Sequence, residues 1–400
     1  MKSVGLFLGV APTAGGMFQY AQSVLEGLRH LEAAGCRVWV VYVGERWAVE
    51  LAKYPYEVTH VQHGQLGVKM ADFAMAARIP GRLSRVLARY LNPVAREIYR
   101  INCDLWIFPA QDALAYQVDL PVVSAVHDLM HRFEPRFPEV SKAGRFGVRE
   151  HRFSNITHWS QAVLVDSELG RQHVAQAYGV SASKIYPLPY VAPHYVNLAV
   201  PTDFDTRYPL PGKFIFYPAQ FWAHKNHLRL LEAAASALSS CPDLQLVFTG
   251  DKKHGFDEVH DHALSLGVGE RVHFPGYVPD VYLTGFYRRA RAMVMPTFFG
   301  PTNIPPLEAF ACGCPTAVSN NYAMPEQARG AALLFDPNSV PEITRAIQQL
   351  WLDDALCEVL AERGLENACR WGQKEFGQAL CQILITAASS TKTVNTLKSS

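Results

Sequence analysis

One stretch of the sequence, Phe298–Pro315, constrains the fold more than any other; it reads FFGPTNIPPLEAFACGCP. It follows an apolar run that ends at Met295, passes through a turn of Gly, Pro and Asn, and opens a helical pattern near Pro305. This order predicts a strand, a tight loop and the start of a helix. The positive end of such a helix attracts a phosphate, and a carboxylate in its first turn, here Glu308, accepts hydrogen bonds from hydroxyls. A phosphate together with a polyol suggests a nucleotide sugar.

The same stretch resembles the donor-binding motif of the retaining GT-B glycosyltransferases, the large family four (glycosyl transferases group 1), in its polysaccharide-assembly variant. In that family two glutamates eight positions apart flank a glycine-rich turn, and Glu308 matches the second, which holds the ribose hydroxyls. Gly300 stands where the first glutamate contacts the donor sugar. Sugar recognition and mechanistic detail therefore stay open. The alternative role for Glu308 is electrostatic support of the helix N-terminus.

The fold that this resemblance implies is an α/β GT-B fold, with two Rossmann-like doubly wound domains that face a cleft. A length of 400 residues also favours two domains, and Val4–Val10 followed by a helical pattern is typical of a doubly wound sheet. We expect an acceptor-binding domain over residues 1–205 and a nucleotide-sugar-binding domain over 206–370. A closing helix over 371–386 would cross back to the first domain, and residues 387–400 would form a disordered tail.

The second domain supplies most of the candidate donor contacts. Lys225 follows an apolar strand and matches a family lysine that stabilises the departing diphosphate, whereas Gln220 stands where the family has an arginine. The alternative for Lys225 is a solvated loop lysine. Gly250 ends another strand, and Tyr277 could touch the base. The amides of Thr302–Ile304, which include Asn303, would bind the diphosphate.

The first domain supplies candidates at the carboxyl ends of its strands, where doubly wound sheets bind ligands. Gly15 and Gly16 follow the first predicted strand; a tight turn explains such a pair equally well, but in the family this loop closes over the donor phosphates and the acceptor. His127 follows Val122–Val126 and matches a family histidine near the donor sugar and acceptor. A lone histidine at a strand end can also be structural.

The region from Lys69 to Arg100 is rich in arginine, with apolar residues between the arginines. Arg78, Arg82, Arg85 and Arg89 are spaced to share a helical face, although Pro80-Gly81 would break its first turn. Such a surface suits anionic lipid headgroups if the acceptor is lipid-linked. It is equally typical of an ordinary solvated face.

Composition limits the partners and the location. A net charge of +1 gives no general attraction to nucleic acid. Eight cysteines without a CxxC pair or metal-ligand spacing, and no run of apolar residues long enough to span a bilayer, favour a cytoplasmic protein, peripheral at most to the inner face of the plasma membrane. No DxD-like motif follows a predicted strand, so we expect metal independence and no cofactor besides the donor substrate.

The function that the resemblance implies is transfer of a hexosyl group, with retention, from a nucleotide diphosphate sugar to a saccharide or lipid-linked saccharide. Mannose or a deoxyhexose, added during lipopolysaccharide or O-antigen biosynthesis, is the expected class. His127, Lys225 and Glu308 would act in catalysis. Two alternatives share the fold: a catalytically weak homologue that only binds nucleotide sugar, and a GT-B epimerase. A nicotinamide-dependent oxidoreductase is disfavoured because the GxGxxG motif is missing.

Overall fold

The computed structural model describes residues 1–11, 15–62 and 77–398, which separate into two compact units. The first unit comprises Met1–Pro135, Val140–Tyr190 and the chain from Gln373 onward. The second comprises Arg136–Glu139 and Val191–Gly372. Among the described residues, no helix is both long enough and apolar enough to cross a membrane.

The first unit is built on a parallel sheet. Its strands are β1 (Ser3–Leu8), β2 (Arg37–Tyr42), β3 (Glu57–His60), β4 (Leu105–Phe108), β5 (Val122–Ala125), β6 (Ala162–Val165) and β7 (Ile185–Pro187). Within the described ranges these seven strands follow the order β3-β2-β1-β4-β5-β6-β7, and every neighbouring pair is parallel. All residues of β4, β5 and β6 are buried. Such burial is expected where helices cover both faces of a parallel sheet.

Helices connect these strands in the order that a doubly wound sheet requires. Up to Tyr178, the described helices are α1 (Gly16–Gly27), α2 (Arg29–Ala33), α3 (Glu45–Leu51), α4 (Gly81–Leu91), α5 (Pro93–Ile101), α6 (Leu114–Gln117), α7 (Met130–Phe133), α8 (Pro138–Ser141), α9 (Arg145–Trp159) and α10 (Glu168–Tyr178). Asn92 accepts hydrogen bonds from the first amides of α5, and Ser167 caps α10 in the same way.

The second unit repeats this design. Its strands are β8 (Ile215–Pro218), β9 (Leu246–Thr249), β10 (Val272–Gly276), β11 (Ala292–Met295), β12 (Thr316–Ser319) and β13 (Leu333–Phe335). Across Val191–Gly372, all of it described, they form one parallel sheet in the order β10-β9-β8-β11-β12-β13. The helices are α11 (Phe204–Arg207), α12 (His227–Ala237), α13 (Phe256–Ser265), α14 (Asp280–Arg289), α15 (Ile304–Ala311), α16 (Met324–Ala328), α17 (Val340–Leu352) and α18 (Asp354–Arg370). The two parallel sheets confirm the predicted α/β class.

The structure changes unit between Tyr190 and Val191, earlier than the boundary expected near residue 205. The proline-rich segment is no linker, because it packs on the second unit. The Phe204 ring lies 5.3 Å from that of Phe286, and a Cβ at Gly285 would lie 2.4 Å from the Phe204 ring. Proline richness and poor periodicity describe a segment without regular structure, but they do not tell whether it is packed.

The chain returns to the first unit through α19 (Gln373–Lys398). This helix packs on α1: Gln373 Nε2 donates to the Ser23 carbonyl at 2.7 Å, and Leu380 lies against Gly27. The closing helix was expected over 371–386 and a disordered tail over 387–400; instead the helix continues to Lys398. Ala387 is buried, so the apolar stripe extends past the predicted end.

Part of the arginine-rich region, including Lys69, lies outside the described residues. In the described part, α4 begins at Gly81, after the break expected at Pro80. Arg85 does not share an open face with the other arginines, because it forms an ion pair with Asp119 and lies over the Trp159 ring. Six other residues of α4 are exposed: Arg82, Leu83, Val86, Arg89, Tyr90 and Leu91. We call these six residues the α4 outer face.

Candidate functional site

The loop between β11 and α15 is shaped by a contact between Gly300 and Asn303. Gly300 has a φ of 140°, a conformation that favours glycine. A Cβ at this position would lie 2.4 Å from Asn303 Nδ2, and the same amide group donates to the Gly300 carbonyl at 3.3 Å. The Asn303 side chain thus fills the space beside residue 300. A glutamate there, as in the resembled family, would require this loop to move.

The N-terminal end of α15 has fewer amide donors than an ordinary helix. Its first residue is Ile304, and Pro305 and Pro306 lack an N–H group. The Asn303 N–H donates to Gln327 Oε1 at 3.1 Å, and Gln327 Nε2 donates back to the Asn303 carbonyl at 2.7 Å. Of the three predicted amides, that of Asn303 therefore holds the loop. The half-buried Thr302 and the buried Ile304 remain candidate diphosphate contacts.

Lys225 lies at this helix end. It closes a short 3-10 helix, Ala223–Lys225, in the loop after β8, and its ammonium donates to Asn303 Oδ1 at 3.3 Å. Tyr217 Oη donates to the Lys225 carbonyl at 2.9 Å. The next residue, Asn226, has a φ of 61° and donates to two backbone carbonyls at 2.9 and 2.8 Å. The turn that carries the lysine is therefore held from both sides.

Glu308 lies between two tyrosines. The helix begins one residue earlier than the sequence predicted, so Glu308 falls in the second turn of α15 rather than the first. Tyr195 Oη donates to its Oε1 and Tyr287 Oη donates to its Oε2. The side chain is buried, with 5% of its surface exposed. Electrostatic support of the helix N-terminus alone would not need this enclosure.

Burial controls the protonation of this group. Burial raises the pKa of Glu308 to about 7, although the hydrogen bonds from Tyr195 and Tyr287 act in the opposite direction. The pKa values of both tyrosines lie well above the ordinary value, because burial and the nearby carboxylate disfavour a phenolate. Both tyrosines are therefore hydrogen-bond donors, and Glu308 changes charge close to neutral pH.

Three further predicted residues occupy other loops of the second unit. Gly250 follows β9, where a Cβ would lie 2.4 Å from the Ala219 carbonyl oxygen, so only glycine fits. Its N–H donates to the Gly276 carbonyl at 3.0 Å, and this amide serves the fold. Gln220 is half-buried in the loop that Gly250 touches. Tyr277 is 59% exposed, which leaves its ring accessible.

In the first unit, Gly15 and Gly16 lie at the start of α1. Gly15 has a φ of 57°, and its carbonyl accepts from the amides of Phe18 and Gln19 at 3.0 and 3.2 Å. Among the described residues, a Cβ at Gly15 would meet nothing within 4 Å. The glycine is therefore needed for its backbone conformation and not for lack of space.

His127 is fully engaged by the first unit. Its Nε2 lies 2.7 Å from the Pro109 carbonyl, which can only accept, so Nε2 carries the proton. Nδ1 then accepts from Tyr190 Oη at 3.0 Å. The ring is 8% exposed and meets Tyr20 edge-on at 4.7 Å. Burial lowers the pKa of His127, which keeps the ring neutral.

The structure thus assembles one group of predicted residues. Lys225 is bonded to Asn303, and Glu308 lies on the helix that Asn303 precedes. Sequence reasoning missed Tyr195 and Tyr287, because tyrosines without a motif carry no signal of what they bond to. In the described part of the chain, no group of three or more His, Cys, Asp or Glu side chains is placed to hold a metal ion.

Comparison with known proteins gives a family match in the second unit. Residues 202–367 match the family described as glycosyl transferases group 1. The chain is 36% identical over 127 residues to O-antigen chain mannosyltransferase B of Escherichia coli, a match that covers 32% of this chain and 30% of that protein. It is 25% identical over 280 residues to serotype-specific mannosyltransferase WbdA of Escherichia coli, covering 64% of this chain and 33% of that protein. The matches span about a third of the length of these relatives.

Solved structures are similar over almost the whole chain. HepE of Anabaena in complex with UDP-glucose has a TM-score of 0.73 at 16% identity, with 96% of this chain and 99% of that chain covered. Sucrose-phosphate synthase of Thermosynechococcus elongatus has a TM-score of 0.73 at 18% identity, with 98% and 100% covered. At such identities the similarity concerns the fold. With two parallel sheets and solved structures that are similar over almost its whole length, the chain has the GT-B fold, and its residues 202–367 match the glycosyl transferases group 1 family.

Proposed function

We propose that this protein is a retaining glycosyltransferase that moves a hexosyl group, mannose in the first instance, from a nucleotide diphosphate sugar to a saccharide or lipid-linked saccharide. The reaction would take place at the cytoplasmic side of the membrane, in the assembly of a surface polysaccharide. The observation that carries the proposal is the contact of Lys225 with Asn303 at the start of α15, the helix that also carries Glu308. It lies inside the segment that matches the family.

The reaction requires the protein to position the substrates and to stabilise negative charge on the leaving group. The bond between the anomeric carbon and the diphosphate breaks, and the acceptor oxygen bonds to that carbon on the same face. The hydroxyl proton passes to the departing diphosphate oxygen, so no protein base is needed. The Lys225 ammonium stabilises the growing negative charge of the leaving group. The amides of Thr302 and Ile304 would contribute in the same way.

Asn303 would take over part of the sugar recognition that the family assigns to a glutamate. Its side chain fills the space beside Gly300 and is fastened by Lys225. An amide can both donate to and accept from sugar hydroxyls. The names of the relatives, O-antigen chain mannosyltransferase B and WbdA, support mannose as the sugar. GDP-mannose is therefore the donor to test first.

We expect one nucleoside diphosphate to stabilise the protein against heat. Purified protein would be screened against GDP, UDP, dTDP and ADP, each with and without magnesium. A ligand at a hundred times its dissociation constant adds about 2.7 kcal/mol to the free energy of unfolding. GDP should give the largest rise in Tm, and the rise should be equal in both magnesium conditions if the site works without a metal.

If another nucleoside diphosphate raises Tm more than GDP does, mannose is no longer the proposed sugar. The donor would still be a nucleotide diphosphate sugar. The absence of any shift would contradict the proposal, since the second unit would then hold no nucleotide. If GDP binds but GDP-mannose is neither hydrolysed nor transferred to methyl α-D-mannopyranoside, the protein is a binding homologue. The replacement of the family's arginine by Gln220 is the residue change that would favour that outcome.

The α4 outer face supports a membrane-linked acceptor. It combines two arginines with apolar side chains, of which Leu83, Val86 and Tyr90 are 51%, 55% and 69% exposed. Arginine side chains attract anionic headgroups, and the apolar side chains enter the interface between headgroups and acyl chains. We propose that this face holds the first unit on an anionic membrane.

We expect the protein to float with vesicles of phosphatidylglycerol and phosphatidylethanolamine, and to float less at high salt. The double variant Leu83→Glu/Val86→Glu should stay at the bottom of the gradient, because a charge on each apolar position opposes insertion. The matched control is Val49→Glu, which changes a residue of the first unit that is 64% exposed. If the wild type, the double variant and the control float equally, the α4 outer face is an ordinary solvated surface.

A further inference from the structure

The loop that follows β4 lies at the point where the sheet of the first unit changes direction. The chain builds outward from β1 through β2 to β3, and then from β4 to β7 on the other side. The crevice outside the carboxyl ends of β1 and β4 is where doubly wound sheets bind ligands. Asp112 belongs to this crevice: a Cβ on Gly9, which follows β1, would lie 3.6 Å from Asp112 Oδ1.

One oxygen of Asp112 has no hydrogen-bond partner among the described residues. Asp112 Oδ2 is shielded from solvent and unbonded, and on α9 the Nε of Arg152 is in the same condition. Burial raises the pKa of Asp112 to about 6, and the charge of Arg152 acts in the opposite direction. Leaving a desolvated acceptor and a desolvated donor unpaired is costly. These two atoms therefore offer an acceptor and a donor to a ligand.

The residue before Asp112 has an energetically unfavourable backbone conformation. This residue, Gln111, has a φ of 61°, which a residue with a side chain adopts at a cost, and that side chain is buried. The start of the loop is held by the bond from His127 Nε2 to the Pro109 carbonyl. His127 therefore acts on the crevice through the loop, and Asp112 is the group that it positions.

A hydroxyl has the chemistry that these two groups require. A hydroxyl donates its hydrogen to a carboxylate and accepts from a guanidinium N–H, so saccharide hydroxyls suit both unpaired atoms. An anion would be repelled by Asp112, and an ammonium by Arg152. We propose that Asp112 and Arg152 bind hydroxyls of the acceptor saccharide in the first unit, an inference that rests on the proposed transfer reaction.

The test uses Asp112→Asn and Arg152→Met in the full chain, with GDP-mannose as donor and methyl α-D-mannopyranoside as acceptor. We expect the KM for the acceptor to rise about tenfold to a hundredfold in each variant. The KM for GDP-mannose, the thermal shift with GDP and the far-UV spectrum should stay as in the wild type. Asp119→Asn is the matched control, since that carboxylate of the first unit is 75% exposed. An unchanged acceptor KM in both variants would overturn the inference. So would variants that lose the thermal shift with GDP and the native far-UV spectrum along with acceptor binding.

A second measurement separates this inference from the proposed function. Saturation-transfer NMR of methyl α-D-mannopyranoside needs neither donor nor turnover. A signal from the wild type that is lost in Asp112→Asn and kept in Asp119→Asn supports the site even if GDP-mannose proves to be the wrong donor. The same signal from all three proteins, or none from the wild type, would show that the pair does not bind this saccharide. A wild type that is stabilised by no nucleotide would contradict the proposed function alone.

Discussion

Replacing Lys225 with alanine is expected to lower kcat for transfer from GDP-mannose about a hundredfold. Departure of the diphosphate develops negative charge, and a cation that is already in place stabilises it without reorganisation. Lys225 meets that condition because its ammonium is held at 3.3 Å from Asn303 Oδ1, and its turn is fastened through Tyr217. Gln220 replaces the second cation of the resembled family, so the turn has one fixed positive charge fewer.

Measured kcat and KM for the donor decide the matter. Lys253→Ala is the matched control, because this lysine of the same unit is 68% exposed and is paired with Asp251. We expect that variant to stay within about twofold of the wild type, since exposed ion pairs contribute little. Lys225→Arg should retain part of the activity, as it keeps the charge but not its position. If Lys225→Ala has the same kcat as Lys253→Ala, Lys225 is a solvated loop residue and other groups stabilise the leaving diphosphate.

Local patterns in the sequence were enough for the architecture. Apolar runs such as Val4–Val10, each followed by a loop and a helical period, are signals that a few neighbouring residues carry. The stretch Phe298–Pro315 placed β11, its loop and α15 correctly, apart from a shift of one residue at the helix start. The helix begins one residue early because Ile304, like the two prolines that follow it, can occupy the first position of a helix.

The contacts that define the candidate site are not local. Tyr195 and Glu308 are 113 residues apart in the chain and Lys225 and Asn303 are 78 apart, so no window of sequence contains either pair. His127 matched a family position, but its two bonds, to Pro109 and to Tyr190, become visible only when β4, β5 and the end of the first unit are assembled. The steric link between Gly300 and Asn303 lies within four residues and still depends on the φ of 140° at Gly300.

Glu308 is expected to make the second unit less stable as the pH rises from about 4 to about 7. The unfolded carboxyl loses its proton near pH 4.3, whereas in the folded protein burial raises the pKa to about 7. Between these values the folded state binds more protons than the unfolded state, so the free energy of unfolding falls with rising pH. The size of the effect is about 4 kcal/mol at most, from the linkage between pKa and stability.

Urea unfolding of the wild type and of Glu308→Gln at several pH values between 4.5 and 8 isolates this contribution. Other groups change in the same range, among them Asp112, whose pKa burial raises to about 6. They are common to both proteins, so the difference between the two curves belongs to Glu308. The free energy of unfolding of the wild type should therefore fall relative to that of Glu308→Gln as the pH rises. Parallel curves would mean that Glu308 stays charged in the fold.

Glu308→Ala separates the structural part of this residue from its contact with the nucleotide. It leaves the hydroxyls of Tyr195 and Tyr287 buried without their acceptor, and we expect a loss of about 1–3 kcal/mol in the free energy of unfolding. If the remaining lone pairs of the carboxylate bind ribose hydroxyls, the affinity for GDP should also fall, about tenfold. The triple variant Glu308→Ala/Tyr195→Phe/Tyr287→Phe removes the unpaired hydroxyls and should recover stability. If the affinity for GDP recovers together with the stability, the role of Glu308 is structural. If the affinity stays low, Glu308 contacts the nucleotide.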